Sequence, residues 1–105
     1  METIITARHC EIPEALRERA STVVERLEAV APREVQATVV FDVDGTRSIA
    51  EVRLHVANGD MLVAGGEGPD HRTALDRAEE RMRRQVTRVS GRYRTNRHPA
   101  DAPGS

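Results

Sequence analysis

The sequence predicts an α+β domain of order β-α-β-β-β-α, a four-stranded sheet with two helices packed on one face. Two long stretches, residues 13–30 and 70–94, repeat apolar side chains at spacings of three and four, as a single buried helix stripe requires. Between them, residues 34–43, 48–57 and 61–65 read as strands, separated by Asp44-Gly45 and Asn58-Gly59, both strong turn signals. At 105 residues with 38% apolar content, the chain can fill one core and is too short for two.

The first strand is expected over residues 3–9, TIITARH, whose β-branched content suits a pleated surface. Pro13 then stands where the first turn of a helix tolerates a missing N–H. Leu16, Ala20, Val23, Val24, Leu27 and Val30 form the stripe of that helix, Glu14, Glu18 and Glu25 take the opposite side, and Pro32 closes the segment. In the second strand Val35, Ala37, Val39, Phe41 and Val43 alternate with mostly polar residues. In the third, Ala50, Val52, Leu54 and Val56 alternate with Glu51, Arg53 and His55. Strands of this kind bury one face, the pattern of an antiparallel meander covered on one side. Gly65, Gly66, Gly68 and Pro69 are expected to break the chain before Asp70 caps the second helix, whose stripe is Leu75, Ala78, Met82, Val86, Val89 and Tyr93. Residues 1–94 then make one domain, and residues 95–105, TNRHPADAPGS, have the composition of a disordered tail.

Charge divides the chain. Residues 1–70 hold 13 acidic and 7 basic side chains, net −6, whereas residues 71–105 hold 4 acidic and 9 basic, net +5. Every basic residue is Arg, the better fork for phosphate. At about 100° per residue, Arg77, Arg81, Arg84, Arg88 and Arg92 fall on one side of the second helix, away from the apolar stripe. Solvated helix faces ordinarily mix both signs. Here Arg81, Arg83, Arg84, Arg88, Arg92, Arg94 and Arg97 follow one another with no acidic residue between 81 and 98. Like charges four residues apart repel, and the helix dipole favours cations only over its last turn. A polyanion facing this helix accounts for the excess, with phosphate neutralisation supplying a salt-dependent affinity. Arg19 and Arg26 share one flank of the first helix and would extend the basic track.

Residues 38–48, TVVFDVDGTRS, resemble the nucleophile motif of the haloacid-dehalogenase-type phosphatases, with Asp42 and Asp44 as its two aspartates. That resemblance implies a parallel doubly wound sheet, a Lys and a later acidic pair for magnesium. The chain has no Lys, and its adjacent acidic pair, Glu79-Glu80, sits inside a helical pattern. Asp42 therefore reads as a strand-end residue pointing outward and Asp44-Gly45 as hairpin chemistry. His9, Cys10, His55, His71 and His98 lack the spacing of a metal site, and Gly65-Gly66-Glu67-Gly68 lacks the ending of a phosphate loop. No catalytic residue, metal, cofactor or small-molecule substrate is expected. One cysteine excludes an internal disulfide, and no run of about 18 apolar residues is present, so a cytoplasmic setting away from membranes is expected.

Cys10-Glu11-Ile12-Pro13, EALRE at 14–18, RLE at 26–28, LHVANGD at 54–60, GEGPD at 66–70 and ALDRAEERMRRQV at 74–86 resemble, in order and spacing, the bacterial ribosome hibernation promoting factor family. The resemblance runs over residues 2–94. It implies the same fold, similar to double-stranded-RNA-binding domains, and a translation regulator that binds the small ribosomal subunit and its rRNA in the mRNA and tRNA channel. Idle ribosomes would be inactivated and preserved under stress or in stationary phase. The resemblance also implies rRNA contacts through Arg17, Arg26, Arg81, Arg84, Arg88 and Arg92, to which the helical-face argument adds Arg77. Pro13 stands where family members often carry Ser or Thr, and Arg stands at several of their Lys positions; the second change preserves the electrostatics. Longer members add a C-terminal domain that pairs ribosomes, which is not expected of this chain. The protein would be monomeric off the ribosome. The residues leave open a generic structured-RNA-binding or protein-interaction module with the same fold.

Overall fold

Strand β1 (Glu2–Ala7) lies parallel to β2 (Glu34–Asp44), with helix α1 (Glu14–Glu28) as the crossover between them. From β2 the chain folds back and forth through β3 (Arg47–Val56) and β4 (Met61–Gly68), each antiparallel to its predecessor, so sheet order follows chain order. Helix α2 (His71–Asn96) then returns across the sheet. The order is the expected β-α-β-β-β-α. The structure is a computed structural model that describes residues 2–30, 34–56 and 61–96.

The register explains why one face is buried. Ile5, Val39, Val52 and Ala64 align across all four strands, flanked by the rows Ala37, Leu54, Leu62 and Phe41, Ala50, Gly66. Leu16, Ala20, Val23, Val24 and Leu27 of α1, with Ala74, Leu75, Ala78, Met82 and Val86 of α2, close over these rows as one core. Residues one register step away, among them Thr38, Glu51 and Arg53, take the outer face, as a period of two demands.

Several local expectations change. The β2–β3 loop is Gly45-Thr46 between the paired Asp44 and Arg47, and Gly45 supplies the positive φ of 65° at its first position, as hairpins with a leading glycine require. Val43 shares the core side of β2 with Phe41 but lies near the strand's end and is exposed, as is Val30, which follows the last turn of α1. Cys10 lies past β1 and is half-buried against the core. Pro32, the Asn58-Gly59 turn and residues 97–105 lie outside the described residues, as do the side chains of Val89 and Tyr93.

The largest departure is at Gly65–Gly68, which continues β4 where a break was expected. The glycines are there for packing. A Cβ on Gly66 would overlap the Ala74 carbonyl oxygen and lie 2.7 Å from the Ala78 nitrogen and 2.9 Å from the Arg77 Cβ. Bare backbone lets α2 settle directly on the sheet at this point, which sets how closely Ala74, Arg77 and Ala78 approach β4.

Candidate nucleic-acid interface

Helix α2 begins where Asp70 accepts a hydrogen bond from the Thr73 amide at 2.7 Å, which with the Thr73 hydroxyl holds the Asp70 carboxyl below the usual carboxylate range. From Ala74 to Val86 its buried stripe is fixed by the core, so the rest of its circumference divides into two flanks at about 100° per residue. Asp76, Glu79 and Arg83 face α1. Arg77, Arg81 and Gln85 face the free edge of β4, with Arg84 and Arg88 beside them and farther into solvent.

On the α1 side the arginines are paired. Arg19 donates to Asp76 Oδ1 through Nε at 3.1 Å and Nη2 at 2.8 Å. Arg26 grips Glu79 with both prongs, at 2.8 and 3.0 Å, and Arg83 reaches the same carboxylate at 3.2 Å. The expected extension of a basic track through Arg19 and Arg26 therefore takes another form: both guanidiniums tie α1 to α2. Asp76 is the α2 end of one of these ties.

On the β4 side each residue makes a different contact. Arg77 donates to the Glu67 carbonyl at 2.6 Å, Arg81 to the Gly65 carbonyl at 2.6 Å, and Gln85 to the Val63 carbonyl at 2.7 Å. Both arginines remain exposed. Each uses one of five guanidinium donors in this way, so the remainder face solvent. Arg84 meets Glu80 one turn earlier, at 3.1 Å. The repulsion read from the arginine run is thus relieved in part by Glu79 and Glu80, just upstream of it.

Of the seven predicted contact residues, Arg17 and Arg88 are exposed, with side chains that have no hydrogen-bond or ion-pair partner among the described residues. Arg84 is exposed and loosely paired, Arg77 and Arg81 are exposed and anchored, and Arg26 is half-exposed and clamped. The side chain of Arg92 lies outside those described. Arg77, Arg81, Arg84 and Arg88 fall on one side of α2 by helical spacing, but Arg77 and Arg81 reach the β4 edge where a face pointing away from the core was expected. Arg17 and Arg26, nine residues apart, lie about half a turn from each other on α1, so they do not share a flank. Arg83 and Glu79 were missed as a unit; their signal was the four-residue Glu-to-Arg spacing, repeated at Glu80 and Arg84.

Cys10, His9 and His71 meet Asp42 of the phosphatase-like stretch near the N-terminal end of α2, with Cys10 Sγ 3.9 Å from His71 Nε2. Asp42 accepts from the Val43 amide at 2.8 Å and pairs with His9 Nδ1 at 3.1 Å; these hold its carboxyl below the usual range, the amide foremost. His71 Nε2 donates to the Asp42 carbonyl at 2.9 Å, and its ring meets the Phe41 ring edge-on at 5.6 Å. The sheet around Asp42 is antiparallel on its β3 side, not the parallel doubly wound sheet that the phosphatase motif needs. Among the described residues no group of three or more His, Cys, Asp or Glu is placed to hold a metal ion, and no helix is long and apolar enough to cross a membrane.

A family model described as Sigma 54 modulation protein / S30EA ribosomal protein matches residues 3–94. The chain is 39% identical over 88 residues to the ribosome hibernation promoting factor of Salmonella typhimurium, covering 84% of this chain and 92% of that protein. Among solved structures, the N-terminal domain of Thermus thermophilus Protein Y superposes with a TM-score of 0.71 at 29% identity, over 81% of this chain and 93% of that one. A ribosomal subunit interface protein from Coxiella burnetii shares the fold, with a TM-score of 0.76 at 18% identity, over 87% of this chain and 99% of that one.

Proposed function

The chain belongs to the Sigma 54 modulation protein / S30EA ribosomal protein family, and from that membership we propose that it is a ribosome-binding regulator of translation. Relatives named ribosome hibernation promoting factors support a role in ribosome hibernation; in this reading the chain occupies the small subunit in the mRNA and tRNA channel, against rRNA, and keeps idle ribosomes inactive and intact. It works in the cytoplasm, as a monomer off the ribosome, by occupancy alone and without a chemical step.

The observation that carries this reading is the β4-side flank of α2. Arg84 and Arg88 stand exposed one turn apart, with Arg77 and Arg81 held beside them at fixed positions by backbone carbonyls. The row Arg77, Arg81, Arg84 and Arg88 rises by about 6, 4.5 and 6 Å along the helix, which strings positive charge along one line as neutralising several phosphates of a strand requires. Anchored arginines lose less side-chain freedom on meeting a phosphate than free ones do. Arg17, on the far flank of α1, and Arg26, between the helices, supply further positive charge to the same helical layer.

Co-sedimentation with purified small subunits tests the reading. The protein pellets with them at low salt, is released as salt rises, and binds an unrelated RNA duplex much more weakly. Equal affinity for duplex and subunit would instead indicate a generic RNA-binding module. A phosphate ester incubated with the protein and magnesium is not hydrolysed above the buffer rate.

A further inference from the structure

Strand β4 is an edge strand, and its outward carbonyls are the kind of unpaired row on which another strand can assemble. In this chain that row is occupied from within. The carbonyls of Val63, Gly65 and Glu67, two residues apart, receive Gln85, Arg81 and Arg77, four residues apart and in reverse order. The match is geometric. Four residues of helix rise about 6 Å and two residues of strand about 6.7 Å, so an antiparallel helix can serve alternate carbonyls over three rungs.

The edge needs such a cover. Met61-Leu62-Val63-Ala64 is apolar with no charge before Glu67, and Met61 and Val63 are 47% and 43% exposed on it. Apolar, uncharged, strand-forming edge segments are the ones that recruit a second chain. β1, the opposite edge, is only six residues long and starts at Glu2, the short and charged type of edge that resists addition by itself.

We propose that Arg77, Arg81 and Gln85 guard the β4 edge against strand addition by the β4 of a second copy. Antiparallel β4–β4 pairing is self-complementary, since each copy offers the same carbonyls and amides to the other about a two-fold axis. While the three side chains hold the carbonyls of Val63, Gly65 and Glu67, that pairing is denied three consecutive acceptors along the edge. Arg77 and Arg81 thereby have a structural duty that is separate from any contact with RNA, and the guard does not rest on the ribosomal reading.

The test is the mass of the free protein by size-exclusion chromatography with light scattering. The wild type elutes near 11.6 kDa. The triple variant Arg77→Ala, Arg81→Ala, Gln85→Ala shifts towards twice that mass or larger as concentration rises, whereas Arg84→Ala, Arg88→Ala, which removes as many charges but no rung, stays with the wild type. If the triple variant does not fold, Arg77→Met, Arg81→Met, Gln85→Met decides the matter, since it keeps the aliphatic cover and deletes the donors, with the Arg84, Arg88 variant controlling for the two charges lost. A folded donor-less variant that remains monomeric, or equal association of the Arg84, Arg88 variant, overturns the proposal.

Discussion

Arg26 of α1 and Glu79 of α2 form a two-pronged guanidinium–carboxylate pair, with Arg83 on the same carboxylate, and this node joins the helices above the core. Glu79 is nearly buried while both arginines are half-exposed. Glu79→Gln keeps the shape and removes the charge. Stability falls by about 1 kcal/mol, the scale of one well-aligned, partly exposed pair, read as a lower urea midpoint. Ribosome binding at low salt moves the other way and tightens, because two guanidiniums lose their internal counter-charge.

Phosphate neutralisation leaves a signature in salt dependence. Arg84→Ala, Arg88→Ala lowers the slope of log affinity against log salt by about 1.5, some 0.7–0.9 for each phosphate no longer neutralised. Arg19→Ala, whose guanidinium is engaged with Asp76, changes the slope little. Fluorescence anisotropy on small subunits across a salt series separates the two.

Gly66→Ala places a methyl group against the backbone of α2 at Ala74 and Ala78, where no flexible side chain can yield. The helix must lift or tilt. A loss of about 1–3 kcal/mol or somewhat more is expected from such overpacking, measured by chemical denaturation. Gly65→Ala, whose nearest neighbour would be the Ala50 carbonyl at 3.8 Å, is the tolerated control.

Asp70 and Asp42 both ionise below the usual carboxylate range in the folded chain, the first through the Thr73 amide and the second through the Val43 amide. A depressed folded value means the fold binds these protons less readily than the unfolded chain does. The stabilisation is therefore complete above the unfolded carboxylate value, near pH 4, and drains away as pH falls through the lower folded values. Asp70→Asn keeps a capping acceptor that does not titrate, so its urea midpoint falls less steeply than the wild type's between about pH 5 and 2.5.

Most of the architecture is legible in residue pattern because each element has a single buried face. Leu16 to Leu27, and Leu75 to Val86, announce themselves by spacing, and Val39 and Val52 by alternation. What pattern misses depends on partners distant in sequence. Gly65 to Gly68 looks like a break because glycine is read locally as flexibility, whereas here its smallness admits Ala74 and Ala78. The arginine run is visible, but its division into clamped, anchored and free members is not. Arg26 has its partner 53 residues away and Arg81 bonds a backbone carbonyl 16 residues back. Only the local Glu79–Arg83 and Glu80–Arg84 pairs could have been read from spacing. The phosphatase-like DVDGT stretch is legible as a hairpin from the missing Lys and the helical Glu79-Glu80, and the antiparallel β2–β3 pairing agrees.

Whether the β4-side flank of α2 meets ribosomal RNA is decided by charge reversal on its outermost arginines. Arg84→Glu, Arg88→Glu and the wild type are titrated side by side against purified small ribosomal subunits at low salt, with circular dichroism confirming the same fold. The expected result is a loss of binding by about a hundredfold or more, roughly two phosphate contacts turned repulsive, while Asp42→Ala binds as the wild type does. Full affinity in the folded, charge-reversed variant would contradict this and remove the flank from the interface.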